Sequence, residues 1–522
     1  MRSGRNVSVA NYGEGQYITA KSTYIIFASM YLLLQFIGYS SDAQIKPAEN
    51  SKLNHLITGF SIPVQDKITT YQLEIAEGTF ADEKEFSDKI SITVNNSGNN
   101  IITELPEFGR HYTWRVKYLN KKGKKKGKSP LFHFATNMGP EVDTSKHRLR
   151  IISNSKADPN LLIITDTKGV IYNTSGKPVW YFPEINGEPV RDFKPTADGT
   201  FTFMTFRQLY EVDYNGNVVW KRSTSVNGDS LQRFHHELTK LPNGHYMVCG
   251  HDFGYQEVPP LPDSLRLMSR TLVQRDGKLY KRTLAGTLIE LDENGKEVWK
   301  WNSANIVPDS IIFAHIKIGR PDALLPTGGT HMNGFYFSHA DSIIYVSFRN
   351  INTILKIGYP SGKLLSSIGQ YKNAHFIEIA NMADTPFFHQ HHPTINSRGE
   401  LQLFDNNASV ERNGASMIAV FKESSIKPGE IDKIWEFSCD IDTNTKRGSL
   451  SGGSVYELPD GNFLACTGES GRILVVTREK KVLFNAISEK TNEMGSLEIE
   501  HQYRSNYLLF NQLKKFIYKI DK

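Results

Sequence analysis

Three histidines stand at the same distance before a polar turn in three separate stretches of the sequence. His236 and His391 each lie eight residues before the glycine of such a turn, and His331 lies eight residues before the polar segment 339–341. Imidazole fills an apolar core poorly compared with aliphatic side chains, so packing alone does not explain this spacing. We therefore predict that the three imidazoles meet in one functional site.

An arginine, Arg349, ends an apolar run that follows His331 along the chain. Guanidinium offers a fixed fork of donors to sulfate or phosphate oxygens. A neutral imidazole can attack the central atom, while a second exchanges a proton with an alcohol or phenol. Histidine is also the commonest metal ligand, but a neighbouring guanidinium repels a cation and no carboxylate recurs in the register. These residue types favour anion chemistry without a metal or cofactor.

Two of the histidines belong to pairs, and the sequence leaves open which member of each pair faces the site. His235 precedes His236, and His392 follows His391. The shared eight-residue spacing favours His236 and His391.

A repeated pattern over residues 146–522 predicts the elements that position these side chains. Apolar strands alternate with tight turns, and the copies include GKPVW, GNVVW and GKEVW at 176–180, 216–220 and 295–299. Units of roughly 40–50 residues with four short strands and almost no helix are typical of β-propeller blades. Six units can be counted, which predicts a six-bladed β-propeller. Inserts at about 253–282 and 302–330 are expected to form loops near the central channel.

Short alternating strands between residues 50 and 138 precede the repeats. The runs 71–77, 89–94, 111–119 and 131–136 alternate apolar and polar residues and are separated by turn residues, which predicts a small β-sandwich. The segment around Tyr112 and Trp114 is similar to a strand of fibronectin type III modules. The predicted fold class is therefore all-β, with a small N-terminal β-sandwich domain before the propeller.

The charge balance and the N-terminus bear on partners and location. Lys and Arg number 61 against 55 for Asp and Glu, and the net charge of +6 does not indicate a nucleic-acid partner. Basic residues, the apolar run 24–39 and a small-residue end at 41–43 make the pattern of a secretory signal peptide. We predict a signal peptide over residues 1–43, cleaved after Ala43, and an exported protein. An uncleaved membrane anchor is the alternative, although the run is shorter than the ~20 residues of a comfortable span.

Three cysteines, Cys249, Cys439 and Cys466, are widely spaced. They form no C-x-x-C pair, so zinc binding and dithiol redox chemistry lack support. We expect buried thiols and at most one disulfide.

The sequence resembles bacterial arylsulfate sulfotransferases over nearly the whole mature chain. Three motifs carry the resemblance: HHELTKLPNG at 235–244, the stretch 330–349 that runs from THMN to SFR, and the stretch 390–406 that runs from QHH to LFDN. The resemblance implies a periplasmic enzyme with an N-terminal β-sandwich and a six-bladed propeller. It also implies small-molecule aryl sulfates and phenols as substrates, and a homodimer.

The same resemblance implies roles for individual residues. The family's nucleophile falls on His391 and its arginine on Arg349, while its other histidines fall on His236 and His331. Asn333 matches a family asparagine and is expected to bind substrate. A sulfuryl group would pass through a transient sulfohistidine by a ping-pong mechanism, with no cofactor. A phosphoadenosine donor is not expected, because the chain has no glycine-rich phosphate loop of the P-loop type.

Three other classes of protein share parts of this pattern. A non-catalytic ligand-binding propeller would keep the fold, but all four site positions are filled here. A metal-dependent hydrolase or lyase could use the same three histidines. A quinone-dependent dehydrogenase also has repeated GxxVW turns, but it usually has eight blades, adjacent cysteines and calcium-binding carboxylates.

Overall fold

The computed structural model describes residues 45–183, 187–260, 272–314, 329–372, 377–378, 385–407 and 414–518. Strands dominate these residues and the helices among them are short, so the predicted all-β class is confirmed. The predicted signal peptide, residues 1–43, lies outside the described residues. Within the described ranges, no helix is long and apolar enough to cross a membrane.

The N-terminal region forms two sheets that share one apolar core. Its elements are β1 (Ser51–Leu53), β2 (Ile57–Ser61), β3 (Thr70–Glu77), α1 (Glu83–Asp88), β4 (Ile92–Asn96), β5 (Asn100–Glu104), β6 (His111–Leu119), β7 (Lys125–Lys128) and β8 (Phe132–Thr136). One sheet has the order β1-β8-β6-β3-β4 with β7 beside β6, and β2 pairs with β5 in the other. The rings of Phe60 in β2 and Trp114 in β6 meet in this core at 5.1 Å.

The rest of the described chain is built mainly from short strands. They are β9 (His147–Asn154), β10 (Leu161–Thr165), β11 (Val170–Asn173), β12 (Pro178–Tyr181), β13 (Arg191–Pro195), β14 (Phe201–Met204), β15 (Gln208–Val212), β16 (Val218–Ser223), β17 (Ser225–Val226), β18 (Asp229–Arg233), β19 (His235–Lys240), β20 (Tyr246–Val258), β21 (Leu272–Arg275), β22 (Lys278–Leu291), β23 (Glu297–Asn302), β24 (Met332–Ser338), β25 (Ile343–Phe348), β26 (Thr353–Gly358), β27 (Leu364–Gly369), β28 (Tyr371–Lys372), β29 (Ile377–Glu378), β30 (His391–Ile395), β31 (Leu401–Asp405), β32 (Met417–Glu423), β33 (Ile431–Ser438), β34 (Ser454–Glu457), β35 (Phe463–Cys466), β36 (Arg472–Val476), β37 (Val482–Thr491), β38 (Leu497–Ile499) and β39 (Ser505–Leu509). Two further helices are α2 (Asp309–Ala314) and α3 (Leu513–Tyr518).

Most of these strands belong to antiparallel sheets that follow one another along the chain. Sheet 1 has the order β12-β11-β10-β39, sheet 2 is β13-β14-β15-β16, and sheet 3 contains β19, β20, β22 and β23 with β21 at its edge. Sheet 4 is β24-β25-β26-β27, sheet 5 is β30-β31-β32-β33, and sheet 6 runs from β34 to β38 with β9 beside β37. The first strands β13, β19, β24, β30 and β34 each contact the next, and β39 contacts both β34 and β13. The inner strands of the described sheets therefore follow a closed cycle.

The repeated GxxVW segments form the outer turns and strands that the sequence predicts. Gly176 has a φ of 83°, which glycine adopts without strain, and Trp180 follows it in β12. The Trp180 Nε1 donates to the main-chain oxygen of Tyr214, in the corresponding turn of sheet 2, at 2.7 Å. Trp435 of sheet 5 donates in the same way to Arg478 of sheet 6 at 2.7 Å. These tryptophans tie one sheet to the outer turn of the next.

The predicted insert at 253–282 is not a loop where the structure describes it. The strands β20 and β22 continue as one long hairpin, paired from Tyr246 with Leu291 to Val258 with Leu279. The prediction failed because a ladder with alternating side chains continues through residues that read as an interruption of the repeat. The second insert includes α2, and its residues 315–328 lie outside the described part of the chain.

A buried charge network joins the inner strands at the centre. Arg504, which precedes β39, is 2% exposed. Its Nη1 lies 2.6 Å from Asp192 Oδ1 in β13 and 3.1 Å from Glu237 Oε2 in β19. The Lys194 Nζ lies 2.9 Å and 3.1 Å from the same two carboxylates, and the Arg504 Nη2 donates to the main-chain oxygen of Asn333 in β24 at 3.2 Å. Two carboxyl groups and two basic groups thus pair with one another in a network in which only Lys194 keeps partial exposure.

The two cations also set the charge state of the network. Burial raises the pKa of Glu237, but Arg504 and Lys194 outweigh it and lower that pKa to about 2. The carboxylate is therefore ionised at neutral pH, and removing one cation leaves a buried anion without full compensation.

We expect Arg504→Met to lower the free energy of unfolding by about 3–5 kcal/mol, because it leaves two buried carboxylates with one cation. Urea unfolding followed by tryptophan fluorescence measures the change. Arg447→Met is the control, since Arg447 is 60% exposed and its guanidinium lies 3.3 Å from Asp440 at the surface. Equal shifts of the unfolding midpoint in both variants would contradict a central role for Arg504.

Candidate functional site

The structure brings the three predicted histidines and the predicted arginine together above this network. The rings of His236 and His331 are 5.3 Å apart. The ring of Tyr503 lies 5.7 Å from that of His236 and 5.9 Å from that of His391. The Arg349 main-chain N–H donates to the main-chain oxygen of His331 at 2.9 Å, which places the arginine beside that histidine. Side chains from sheets 3, 4 and 5 thus form one cluster, with Tyr503 at its centre.

Bulges at the start of the inner strands aim these side chains. The ladder shifts register between His235 and Leu238 in β19 and between His391 and Thr394 in β30. A left-handed backbone accompanies both shifts, with a φ of 64° at His236 and 52° at His392, and His331 just before β24 has a φ of 53°. Such conformations are strained for residues other than glycine, and they concentrate where the surrounding fold holds a functional side chain in place.

A neighbouring amide fixes the proton on the His391 ring. The Asn406 Nδ2 donates at 2.9 Å to the main-chain oxygens of both Ser449 and Gly452, so its Oδ1 is the atom that faces His391. The His391 Nδ1 lies 2.7 Å from that Oδ1 and 3.1 Å from the main-chain oxygen of His389. Both neighbours are acceptors, so Nδ1 carries the hydrogen and Nε2 keeps its lone pair.

Burial keeps the imidazoles of the cluster neutral at pH 7. His391 is 2% exposed, and burial followed by the charge of Arg349 holds its pKa well below the usual 6.5. Burial and then the neighbours His235 and His331 lower the pKa of His236 in the same direction. Burial and Arg349 lower the pKa of His331 to about 3. The unprotonated Nε2 of His391 is therefore present at neutral pH.

Arg349 has neutral hydrogen-bond partners, although the charge of Glu469 also acts on it from beyond ion-pair distance. Its Nη2 donates to the Leu450 main-chain oxygen at 2.8 Å and its Nη1 to Asn350 Oδ1 at 3.1 Å. It makes no ion pair with any carboxylate of the described residues. Burial lowers the pKa of its guanidinium. A cation that is desolvated without a counter-ion favours the binding of an anion.

Asn333 acts on the main chain next to the nucleophile candidate. Its side chain is fully buried, and its Nδ2 donates to the main-chain oxygen of Gln390 at 2.7 Å. The Gln390 Nε2 in turn donates to Ser347 Oγ at 3.0 Å. In the structure Asn333 therefore positions the residue before His391, and its predicted contact with substrate stays a prediction.

The other member of each histidine pair faces away from the cluster centre. His235 stacks on His251 of β20 at 5.3 Å, and its Nδ1 lies 2.6 Å from that of His236. His392 lies 4.4 Å from the ring of Tyr456 in sheet 6 and accepts from the Val455 N–H at 3.4 Å. His236 and His391 are thus the members that contact Tyr503.

Two residues of the site escaped the sequence analysis. Tyr503 lies in the segment that closes sheet 1, outside every repeated motif. The guanidinium of Arg191, at the start of β13, lies over the Tyr503 ring at 5.5 Å. A signal for Arg191 existed, because it lies eight residues before Gly199, the spacing that singled out the histidines.

The cluster combines the groups that transfer of an anionic group requires. It offers an unprotonated Nε2, two guanidiniums and two further neutral imidazoles beside one aromatic ring. In the described ranges, no set of three or more His, Cys, Asp or Glu side chains is placed to hold a metal ion. Cys249, Cys439 and Cys466 are buried and free. The arrangement suits the binding of an anion beside an unprotonated imidazole.

Comparison with known families identifies this class of site. A family model described as Arylsulfotransferase (ASST) matches residues 135–446, which is more than half of the chain. The chain belongs to the arylsulfotransferase (ASST) family, as the resemblance of its motifs predicted. Membership indicates a sulfotransferase enzyme with small aryl substrates. No curated protein matches the chain.

Solved structures give distant similarities. A protein of unknown function from Bacteroides caccae is 12% identical with a TM-score of 0.39, over 70% of this chain and 99% of that one. Virginiamycin B lyase from Staphylococcus aureus is 12% identical with a TM-score of 0.33, over 65% and 87% of the two chains. An auxiliary nutrient binding protein from Bacteroides ovatus is 9% identical with a TM-score of 0.33, over 85% of each chain.

The buried neutral imidazoles predict a loss of stability in acid. The unfolded chain protonates His331 near its ordinary pKa of 6.5, whereas the folded chain does so near 3. The unfolded state thus binds more protons between these values, so the free energy of unfolding falls as the pH decreases from 6.5 toward 3. We expect His331→Asn to reduce this fall, measured by urea unfolding at about pH 7 and about pH 5. His111→Asn, at an exposed histidine, should leave the pH dependence of stability unchanged. If the free energy of unfolding changed equally with pH in both variants, the result would oppose the role given to the buried His331.

Proposed function

We propose that the protein transfers a sulfuryl group from an aryl sulfate to a phenol through a covalent intermediate on His391. The observation that carries the proposal is the hydrogen bond from the His391 Nδ1 to Asn406 Oδ1, which leaves Nε2 unprotonated beside a guanidinium without a described counter-ion. A fixed tautomer is what an imidazole nucleophile requires, because Nε2 needs a lone pair directed at the sulfur.

In the first half-reaction, the His391 Nε2 forms a bond to sulfur as the sulfur–oxygen bond to the phenol breaks. The electron pair of that bond leaves with the phenoxide, and the sulfuryl group remains on the ring as a sulfohistidine. Arg349 binds the sulfuryl oxygens and stabilises the negative charge that is redistributed in the transition state. His331, beside Arg349, adds a contact to the same oxygens.

Proton transfer depends on a change in the charge of the site. In the free enzyme, burial lowers the pKa of His236, and the neighbouring imidazoles and Arg191 lower it further. The His236 ring is therefore neutral. A bound sulfate ester adds a negative charge, which favours the imidazolium form of His236. That imidazolium donates a proton to the departing phenoxide. In the second half-reaction an acceptor phenol returns the proton to His236 as its oxygen bonds to sulfur and the bond from sulfur to Nε2 breaks.

The architecture that we propose for this chemistry is a six-bladed β-propeller over residues 146–522. The contact cycle of β39, β13, β19, β24, β30 and β34 supports it, because the inner strands of a propeller surround a common axis. For residues 50–138 we propose a small fibronectin-like β-sandwich, supported by the core that its two sheets share. An experimental structure with another number of sheets around the axis would refute the six-bladed form.

We also propose that the enzyme is exported to the periplasm and works there without a nucleotide donor. The basic and apolar pattern of residues 1–43 supports export. A mature protein in the periplasmic fraction that still begins at Met1 would contradict cleavage after Ala43. The homodimer that the family resemblance implies is tested by light scattering, where a monomeric mass would exclude it.

The central prediction concerns His391. His391→Asn and His391→Ala should lower the release of p-nitrophenol from p-nitrophenyl sulfate by at least about a thousandfold, because each removes the nucleophile. Wild-type enzyme quenched with donor alone should carry one additional sulfuryl group on the peptide that contains His391, and initial rates should give parallel double-reciprocal lines.

His339→Asn is the matched control. His339 is exposed, lies in the turn between β24 and β25, and has no role in the proposed mechanism. It should retain wild-type turnover. The assay is run with and without a divalent-metal chelator. Wild-type turnover in both His391 variants would exclude His391 as the nucleophile.

A second prediction separates charge from geometry at Arg349. Arg349→Gln should lower kcat by roughly 10²–10³-fold, because the sulfuryl oxygens lose their cation in the transition state. Arg349→Lys keeps the charge but loses the planar fork, so its kcat should lie between those of the wild type and Arg349→Gln. Arg447→Gln, at an exposed arginine, should leave kcat unchanged, and a similar loss there would show that the effect is not local.

A further inference from the structure

Sheet 3 carries a hairpin arm that no other described sheet has. The arm consists of residues 251–258 of β20 and residues 278–286 of β22, with β21 along its edge. It begins where His235 of the site stacks on His251. The site and the arm are therefore continuous.

One face of the arm carries an aromatic series. His251, Phe253 and Tyr255 alternate along β20, so they point to the same face of the hairpin. The ring of Phe253 lies 6.0 Å from that of His251 and 6.3 Å from that of Tyr255. With His235 the rings form an unbroken series that leads outward from His236. Phe253 and Tyr255 are only half-buried, so a ligand can reach them.

Two guanidiniums lie over this series. Arg282, directly opposite Tyr255 in the ladder, lies over Phe253 at 4.8 Å. Arg275 of β21 lies over Tyr255 at 3.7 Å and donates from Nη2 to its hydroxyl at 2.8 Å. Neither arginine forms an ion pair with a carboxylate of the described residues. The buried Nε of Arg282 has no hydrogen-bond partner there.

The combination suits a particular ligand. Aromatic faces bind flat rings by stacking, and guanidinium binds anionic or hydroxylated oxygens at the ring edge. Tyr255 lies four residues beyond His251, which is roughly 13 Å along a strand. His251 is itself two ring contacts away from His236, so a single ring held at His391 cannot reach Tyr255, whereas a rod-shaped ligand of three or more rings has a length of that order.

We propose that the hairpin arm is a binding subsite for the distal rings of multi-ring aryl sulfates, whose sulfate group lies at His391. The inference rests on the proposed function and adds the class of substrate. Phe253 and Tyr255 stack on the distal rings, and Arg282 binds their oxygen substituents. The arm therefore determines specificity through binding and leaves the chemical step to the histidine cluster.

The experiment measures binding without turnover. Aryl sulfonates are unreactive analogues of aryl sulfates, and calorimetry gives the Kd of the purified protein for benzenesulfonate and for p-terphenyl-4-sulfonate. We expect the three-ring sulfonate to bind more tightly. Phe253→Leu and Tyr255→Leu should each lower that preference by roughly two- to tenfold, while the Kd for benzenesulfonate stays unchanged.

The matched control is Gln256→Leu, which alters the same strand on its opposite face and should keep the preference. An equal Kd for the two sulfonates in the wild type, or an unchanged preference in both arm variants, would overturn the subsite. The proposed function fails separately, if His391→Asn retains turnover of p-nitrophenyl sulfate. Arm variants should keep the wild-type kcat for that one-ring ester, and a loss of kcat would place these residues in the chemistry instead.

Discussion

The buried ion network around Arg504 is the interaction on which the rest of the structure depends. Inner strands that meet at a common centre bring their main-chain and side-chain polar groups out of water together. Apolar side chains alone would leave those groups unsatisfied. Arg504 satisfies such groups, because it contacts Asp192, Glu237 and the main chain of Asn333. These three partners belong to three different sheets. Each buried charged group is compensated by partners on other sheets. The sheets are therefore held in one relative arrangement.

The reactive cluster lies directly on this network and takes its rigidity from it. Asn333 links Arg504 to the main chain before His391, and Tyr503, the neighbour of Arg504, contacts two of the imidazoles. The site thus combines neutral imidazoles with cations in a region of low water content. Burial opposes charge on the imidazoles, whereas guanidinium stays charged at any ordinary pH. In the proposed reaction, this division separates the nucleophile from the groups that bind its anionic target.

The sequence was sufficient for the residue types and their spacing, but not for contacts made across long separations. The eight-residue distance before a turn identified His236 and His391, and the repeated GxxVW segments predicted strands that the structure contains. Tyr503 could not be found in this way, because it enters the site only when the segment before β39 closes sheet 1. The role of Asn333 depends on a main-chain contact to Gln390 that no spacing reveals. Arg191 shares the eight-residue spacing, so a pattern that includes arginine as well as histidine predicts it.

The closure of sheet 1 by β39 has a consequence for synthesis. Tyr503 and Arg504 are synthesised after every strand that carries a site histidine, so until then the imidazoles lack their central ring, and Asp192 and Glu237 lack one of their cations. The cycle of inner strands that surrounds the histidine cluster is therefore complete only when β39 joins sheet 1. Closure of the fold and assembly of the histidine cluster thus depend on the same C-terminal strand.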